Sequence, residues 1–192
     1  MTNETSNLFI IRSATLDDAA ALAALTCELL VYERELSKTT NEVNPWAAST
    51  DEMQKQLRAP NTHFFVAEQQ QQVVGYIRAV IVGRQLPREE IGWKRWGKGV
   101  IERMARWGFT FVMRRPRPAM QIESGYIAGT FVAADARRLG IGGALARAAE
   151  NWFSAQGLKN SELHVLFHNA AARRMWEELG YEPLALGMRK KL

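Results

Sequence analysis

The sequence predicts an α/β fold in which a mixed, twisted sheet is flanked by helices, and three observations carry that prediction. Short β-type runs alternate with amphipathic helical runs along most of the chain. A strand-like run from Tyr126 to Val132 leads through a polar turn into a helix whose apolar residues Ile141, Leu145, Ala148, Ala149, Trp152 and Phe153 share one face. A second run, Leu163 to Phe167, reads as a strand followed by a short helix from Ala170 to Leu179, with Asn169 as N-cap and Gly180 as stop. Residues 8–192 read as one domain and residues 1–7 as a polar, flexible lead.

Taken in order, Leu8 to Ile11 reads as the first strand. Thr15, followed by Asp17 and Asp18, opens a helix through Ala20, Leu22, Leu25, Leu29 and Leu30 toward Tyr32. Asn41 to Ser49 is a loop holding Pro45 and Trp46. Ser49 or Thr50 then caps a second helix through Met53 and Leu57 that ends before Pro60. His63 to Glu68 and Val73 to Val82 read as strands joined by the turn Gln69–Gln72. Tyr181 to Leu186 and Gly187 to Leu192 read as a closing strand pair, with Arg189, Lys190 and Lys191 on a solvated edge.

Residues 83–120 break this plan. Trp93, Trp96, Val100, Met104 and Trp107 recur at helical spacing, and Lys94, Lys98, Glu102 and Arg106 recur on another face. Gly92, Gly97, Gly99 and Gly108 weaken the helix. The stretch reads as a basic, Trp-rich insertion before the central strand, with its tryptophans packed on the domain. A surface for an anionic membrane or a partner is the alternative.

A chain of 192 residues, 47% hydrophobic and 23% charged, is long enough to bury a substantial core in one domain. No apolar run is long enough to span a membrane, and Met1 to Asn7 lacks the pattern of a secretion signal, so a cytoplasmic protein is expected. The one cysteine, Cys27, excludes an internal disulfide; among Leu25, Leu29 and Leu30 it reads as a buried core thiol. The formal charge of +5 is uneven: residues 83–120 carry ten Lys/Arg against three acids, a net +7, which leaves the rest at −2. With the basic character confined to one stretch, no nucleic-acid partner is expected.

The turn after the central run carries Arg137-x-x-Gly140-x-Gly142, followed by Gly143. Glycines there let backbone pass close to a ligand, and the start of a helix presents unpaired N–H groups and a positive dipole end, a seat for a pyrophosphate. The P-loop pattern is absent, and Leu145 stands where a dinucleotide fingerprint needs its third glycine. The Arg-x-x-Gly-x-Gly spacing resembles the acetyl-coenzyme A motif of the GNAT superfamily of N-acetyltransferases. The run Asn169-Ala-Ala-Ala-Arg-Arg-Met-Trp176-Glu-Glu-Leu-Gly180-Tyr181 is similar to that family's later motif, in the family's order. The opening order strand–helix–helix–strand–strand is similar to the family's fold as well.

The resemblance implies a GNAT fold and transfer of an acetyl group from acetyl-coenzyme A to a primary amine, of a small cationic molecule or of a protein or peptide. It places the pyrophosphate on the turn formed by Arg137, Arg138, Gly140, Ile141, Gly142 and Gly143. The pantetheine arm pairs with Val132 and Ala134, a backbone amide near Phe131 and Val132 polarises the carbonyl, and Asn169 and Trp176 complete the coenzyme's surroundings. Acceptor contacts fall to Tyr32, Glu33 and Trp46, in a stretch (residues 17–52) with eight acids and two bases whose field attracts a cationic amine. Glu123 is the first choice for the base, with His164 and His168 as alternatives. Many members have a Tyr where this chain has Trp176, whose indole cannot protonate a thiolate usefully, which leaves Tyr126, water or no acid. No metal is expected, because His164 and His168 straddle a strand end with no cysteine cluster beside them. A homodimer is expected by analogy. The alternative function is a catalytically weak acyl-coenzyme A binding protein that uses the insertion to dock on a partner or membrane.

Overall fold

The computed structural model describes residues 9–37, 48–83, 123–188 and 190. The chain divides into two compact units, Met1–Val82 with Ser124–Leu192, and Gly83–Glu123. The first carries every described helix and strand. The Trp-rich stretch, Trp46 and the residues before Phe9 lie outside the described residues.

Five strands form one sheet in the order β1-β2-β3-β4-β5: β1 (Ile10–Ser13), β2 (Thr62–Gln69), β3 (Gln72–Val82), β4 (Ser124–Val132) and β5 (Ser161–Leu163). The first four run antiparallel in sequence, and β4 pairs β5 in parallel. Gln70 and Gln71 both adopt left-handed φ, 50° and 64°, so a two-residue turn closes the β2–β3 hairpin with the twist its strands need. Helices α1 (Ala19–Ser37) and α2 (Thr50–Leu57) cover one face, where Leu22, Leu25 and Met53 pack on Phe64, Val66, Tyr76 and Phe131. Helices α3 (Ile141–Ala155) and α4 (Ala170–Glu178) cover the other, where Ile141, Leu145, Ala149, Phe153 and Trp176 pack on Ala67, Ile77, Ala79 and Ile127. Ser49 caps α2, its side chain accepting from the Glu52 N–H at 3.2 Å.

The entry to α1 is locked by charge. A short 3-10 turn, Leu16–Asp18, precedes the helix, and the buried Asp18 accepts both arms of Arg12 at 2.7 and 2.8 Å and the Thr15 N–H at 2.7 Å. Arg12 Nε donates to Glu68 at 2.7 Å, so one guanidinium ties β1, β2 and the start of α1 together.

Several expected elements differ. The first strand is Ile10–Ser13 rather than Leu8 to Ile11, because its register against Phe65 to Glu68 of β2 places it two residues later. Cys27 is exposed: two residues beyond the buried Leu25 is about 200° around the helix, which turns it away from the sheet. The run from Leu163 to Phe167 is a strand only as far as Leu163, since β4, its partner among the described residues, pairs with it only over Gly125–Ile127. No closing strand pair forms among the described residues 181–188. A returning strand needs a partner edge, and the three-residue β5 offers little; Leu184, Leu186 and Met188 keep their alternation but stand 82%, 67% and 90% exposed.

Hydrogen bonding from Arg12 holds the Asp18 carboxyl below its ordinary value. A depressed carboxylate contributes stability that is present above its unfolded pKa and lost as pH falls through its folded one. Arg12→Ala is expected to cost about 1.5–3 kcal/mol at neutral pH. It should also flatten the loss of stability below about pH 4, read by denaturant unfolding at a series of pH values. An unchanged acid slope would show that Asp18 is not the group being titrated.

Candidate active site

The sheet opens where β4 and β5 part. Their pairing ends at Ile127 opposite Leu163, and β4 carries a bulge there, since Ala79 of β3 faces Ile127 while Arg78 faces Gly129, leaving Ala128 as the extra residue. A cavity of about 510 Å³ fills the gap, with Ala128, Gly129 and Thr130 on one side and His164, Val165 and Leu166 on the other. Its walls come from both helical layers: Thr26, Leu29, Glu33, Met53 and Gln56 from α1 and α2, and Ala172 and Trp176 from α4, with the cap residue Asn169. Beyond Ile127 the edge of β4 that faced β5 has no strand partner among the described residues, so backbone groups there other than the Val132 carbonyl, held by Arg137, and the Ala128 carbonyl, reached by Arg78, are left for an extended ligand. The Thr130 hydroxyl, buried and without a hydrogen-bond partner, points to the same need.

Past β4 the chain makes a 3-10 turn, Ala134–Ala136, and then the start of α3. Gly140 is the N-cap at φ 82°, supplies no side-chain cap, and has no atom within 4 Å of where a Cβ would stand. The first-turn amides of Ile141, Gly142 and Gly143 therefore receive nothing from the cap residue, while the Ile141 side chain is sunk in the core and anchors them. Arg138 also takes a left-handed φ, 66°, which a non-glycine residue adopts at a cost of about 1 kcal/mol. Gly142 has a packing reason of its own: a Cβ would lie 2.8 Å from Met175 Sδ of α4. Gly143 is different, with Arg147 at an ordinary 3.5 Å. Arg137 folds back, its Nε donating to the Val132 carbonyl at 3.0 Å and its guanidinium lying over the rings of Tyr32 and Phe131 at 5.3 and 5.4 Å. The arrangement fits a coenzyme: open backbone along β4, a free helix start, and two arginines in the turn.

Of the other expected site residues, the structure brings Tyr126 and His164 together, Tyr126 Oη 3.0 Å from His164 Nδ1, both on the cavity wall. Glu33 lines the cavity from α1; much of its surface is exposed, yet burial pushes its carboxyl pKa up. Tyr32 stands with Arg137 rather than on the cavity wall. Asn169 caps α4, accepting from the Ala172 N–H at 3.1 Å, and Trp176 is 6% exposed with its ring edge-on to Tyr181. Ala134 opens the 3-10 turn, and Glu123 is half-buried immediately before β4; the cavity is lined by Tyr126 to Thr130 of that strand. His168 packs on Phe167, and among the described residues no three His, Cys, Asp or Glu side chains gather as metal ligands would. Sequence reasoning passed over Arg78, Gln56, Tyr76 and Thr26, which also line the cavity. The signal was there for Arg78, a lone charge inside the apolar run Val73–Val82.

A model of the acetyltransferase (GNAT) family matches residues 31–181. The chain belongs to the GNAT acetyltransferase family. None of the curated proteins matches the sequence. Solved structures share the GNAT fold. A tetramutant of the BH1408 protein from Bacillus halodurans aligns at TM-score 0.71 and 19% identity, over 95% of this chain and 99% of that one. A predicted acetyltransferase with acetyl-CoA from Clostridium acetobutylicum gives 0.64 and 11%, over 95% and 96%. An aminoglycoside acetyltransferase from an uncultured soil metagenomic sample gives 0.62 and 16%, over 98% and 99%. Among the described residues no helix is long and apolar enough to cross a membrane.

The two glycines of this GNAT turn separate packing from openness. Gly143→Ala should raise stability by a few tenths to about 1 kcal/mol, because alanine holds a helix better than glycine. Gly142→Ala should gain nothing, because its methyl group must displace Met175. Thermal unfolding of the two variants checks this; equal gains would mean that Met175 yields freely.

Proposed function

We propose that this chain is an N-acetyltransferase that moves acetyl from acetyl-coenzyme A to a primary amine, carried by a small cationic molecule or by a protein. The observation that supports it most is the gap between β4 and β5, lined by open backbone and by the Tyr126–His164 pair, in a member of the GNAT family. Two structural neighbours fit the reading, one solved with acetyl-CoA and one an aminoglycoside acetyltransferase.

Acetyl-coenzyme A supplies the acetyl group as a thioester. In this reading the first-turn amides of α3, with Arg137 and Arg138, hold the pyrophosphate. A backbone N–H on the unpaired edge of β4, between Ala128 and Val132, stabilises the negative charge that builds on the carbonyl oxygen as the amine attacks. Glu33 takes the ammonium proton. Burial raises its pKa, which makes its carboxylate a stronger base than a fully solvated one. Tyr126 gives its hydroxyl proton toward the departing sulfur and recovers one through His164. Trp176 serves as an apolar wall, since its indole offers no useful acid. Glu123 is given no step, because the cavity is lined by the residues that follow it. A second reading, coenzyme binding with little turnover, draws on Trp176 at the family's usual acid position.

Purified protein, acetyl-coenzyme A and a panel of primary amines, with free thiol as readout, tests the reading. Amine-dependent thiol release is expected, and Tyr126→Phe should lower kcat by about 100-fold or more while coenzyme affinity holds. Binding without release across the panel would favour the second reading, and absence of coenzyme binding by the folded protein would overturn both.

A further inference from the structure

Arg78 is the one charged residue in the apolar run of β3, and the strand register fixes where it goes. It lies opposite Gly129, on the sheet face covered by α1 and α2, beside the bulge at Ala128 and on the wall of the cavity. A guanidinium stays charged at every pH the protein meets and offers five donors in a planar fork. Its hydrogen-bond partners among the described residues are all neutral. One arm donates to Gln56 Oε1 and the other reaches the Ala128 carbonyl at 3.4 Å, a long contact. The Nε is closed to solvent and has no partner.

Among the described residues no carboxylate lies within ion-pair distance of this half-buried cation. An acid, Glu52, also lines the cavity; Gln56 Nε2 donates to its Oε1 at 3.0 Å and bridges it to Arg78, and Glu52 pairs with the exposed Lys55 at 3.7 Å. On α1 a second charge, Glu33, faces the same cavity, and no ion pair joins it to Arg78. Burial pushes the Tyr76 pKa up; the hydrogen bond from Thr26 at 3.0 Å and the nearby Arg78 lower it, and Glu33 adds to the rise. The cavity thus carries a positive group, Arg78, and a negative one, Glu33, with no ion pair to either among the described residues. Leaving a charge half-buried without a counter-ion is costly unless a ligand supplies one.

We infer that Arg78 is the seat for a carboxylate of the acceptor, and that the acceptor is a small amino-carboxylate whose ammonium lies toward Glu33. The inference rests on the transferase reading above and narrows its acceptor. A purely cationic polyamine would leave Arg78 without a counter-charge and add repulsion. A carboxylate accepts two parallel hydrogen bonds from the guanidinium fork, which a neutral amide cannot match.

The test compares amino acids with their own carboxamides, starting with lysine against lysinamide and phenylalanine against phenylalaninamide. The readouts are kcat/KM from thiol release and stabilisation in thermal unfolding with acetyl-coenzyme A present. For any accepted pair the free acid should exceed the amide by about 10- to 100-fold. Arg78→Lys, which keeps the charge but loses the fork, should shrink that ratio, and Arg78→Gln should erase it, with calorimetric affinity for acetyl-coenzyme A retained. Amides used as well as acids, or a preference that survives in Arg78→Gln, overturns the inference while leaving the transferase reading standing. Where no amine releases thiol, the transferase reading falls and the unfolding shifts decide the inference. Stabilisation by the acid alone supports the carboxylate seat, and no difference between acid and amide overturns it.

Discussion

The short parallel pairing of β4 with β5 is the constraint on which the rest of the molecule depends. Three residue pairs join the strands, Gly125 to Ile127 against Ser161 to Leu163, and then the bulge at Ala128 ends the match. A fully zipped pair would satisfy every backbone group and leave no opening in the sheet. The strands are held together at their start and apart beyond it by packing. Gly125 lets Phe153 of α3 press directly on the strand, where a Cβ would sit 2.6 Å from the ring, and Trp176 of α4 fills the core under the gap. Shape is thus set by apolar burial on one face, and the chemistry is left to backbone groups that the sheet does not use.

The polar groups around the gap divide by layer. The α3 start on one side presents amides and arginines, an environment for phosphate oxygens. On the other side Glu33 and Arg78 bring charges of both signs onto the same wall. The acidic stretch from residue 17 to 52 contributes less to this field than its composition implies. Asp18 is spent on Arg12, Glu52 on Lys55 and Gln56, and the bounds of α1 put several others on exposed turns. What remains at the cavity is Glu33 and the Lys55-paired Glu52 facing Arg78, a site with charges of both signs.

Much of the fold was legible because local rules and tertiary packing agree. Ser49 and Asn169 cap their helices as their spacing predicts, and the glutamine turn closes the hairpin. Apolar residues of α3 at helical spacing form the core. Where reading failed, a non-local partner decided. His164 to Phe167 has strand character but no strand beside it among the described residues, and residues 181–188 alternate toward an edge too short to receive them. Leucine neighbours misled the placement of Cys27, since adjacency in sequence is not adjacency on a helix. At the site, the glycines were read as room for a ligand. Gly140 and Gly143 leave that room, whereas Gly142 is required by Met175. Arg78 was missed because a lone charge in a strand carries no local motif; only the register shows which face it meets.

The central claim is that the uncapped start of α3 is an anion seat for acetyl-coenzyme A. Gly143 occupies the third helical position, where a glutamate suits the helix dipole and opposes a bound phosphate. Calorimetric titration with acetyl-coenzyme A should show saturable binding to the native protein. In Gly143→Glu the affinity should fall about tenfold or more, with an unfolding temperature unchanged or raised. Undiminished affinity in that folded variant, or no binding by the native chain, would contradict the account.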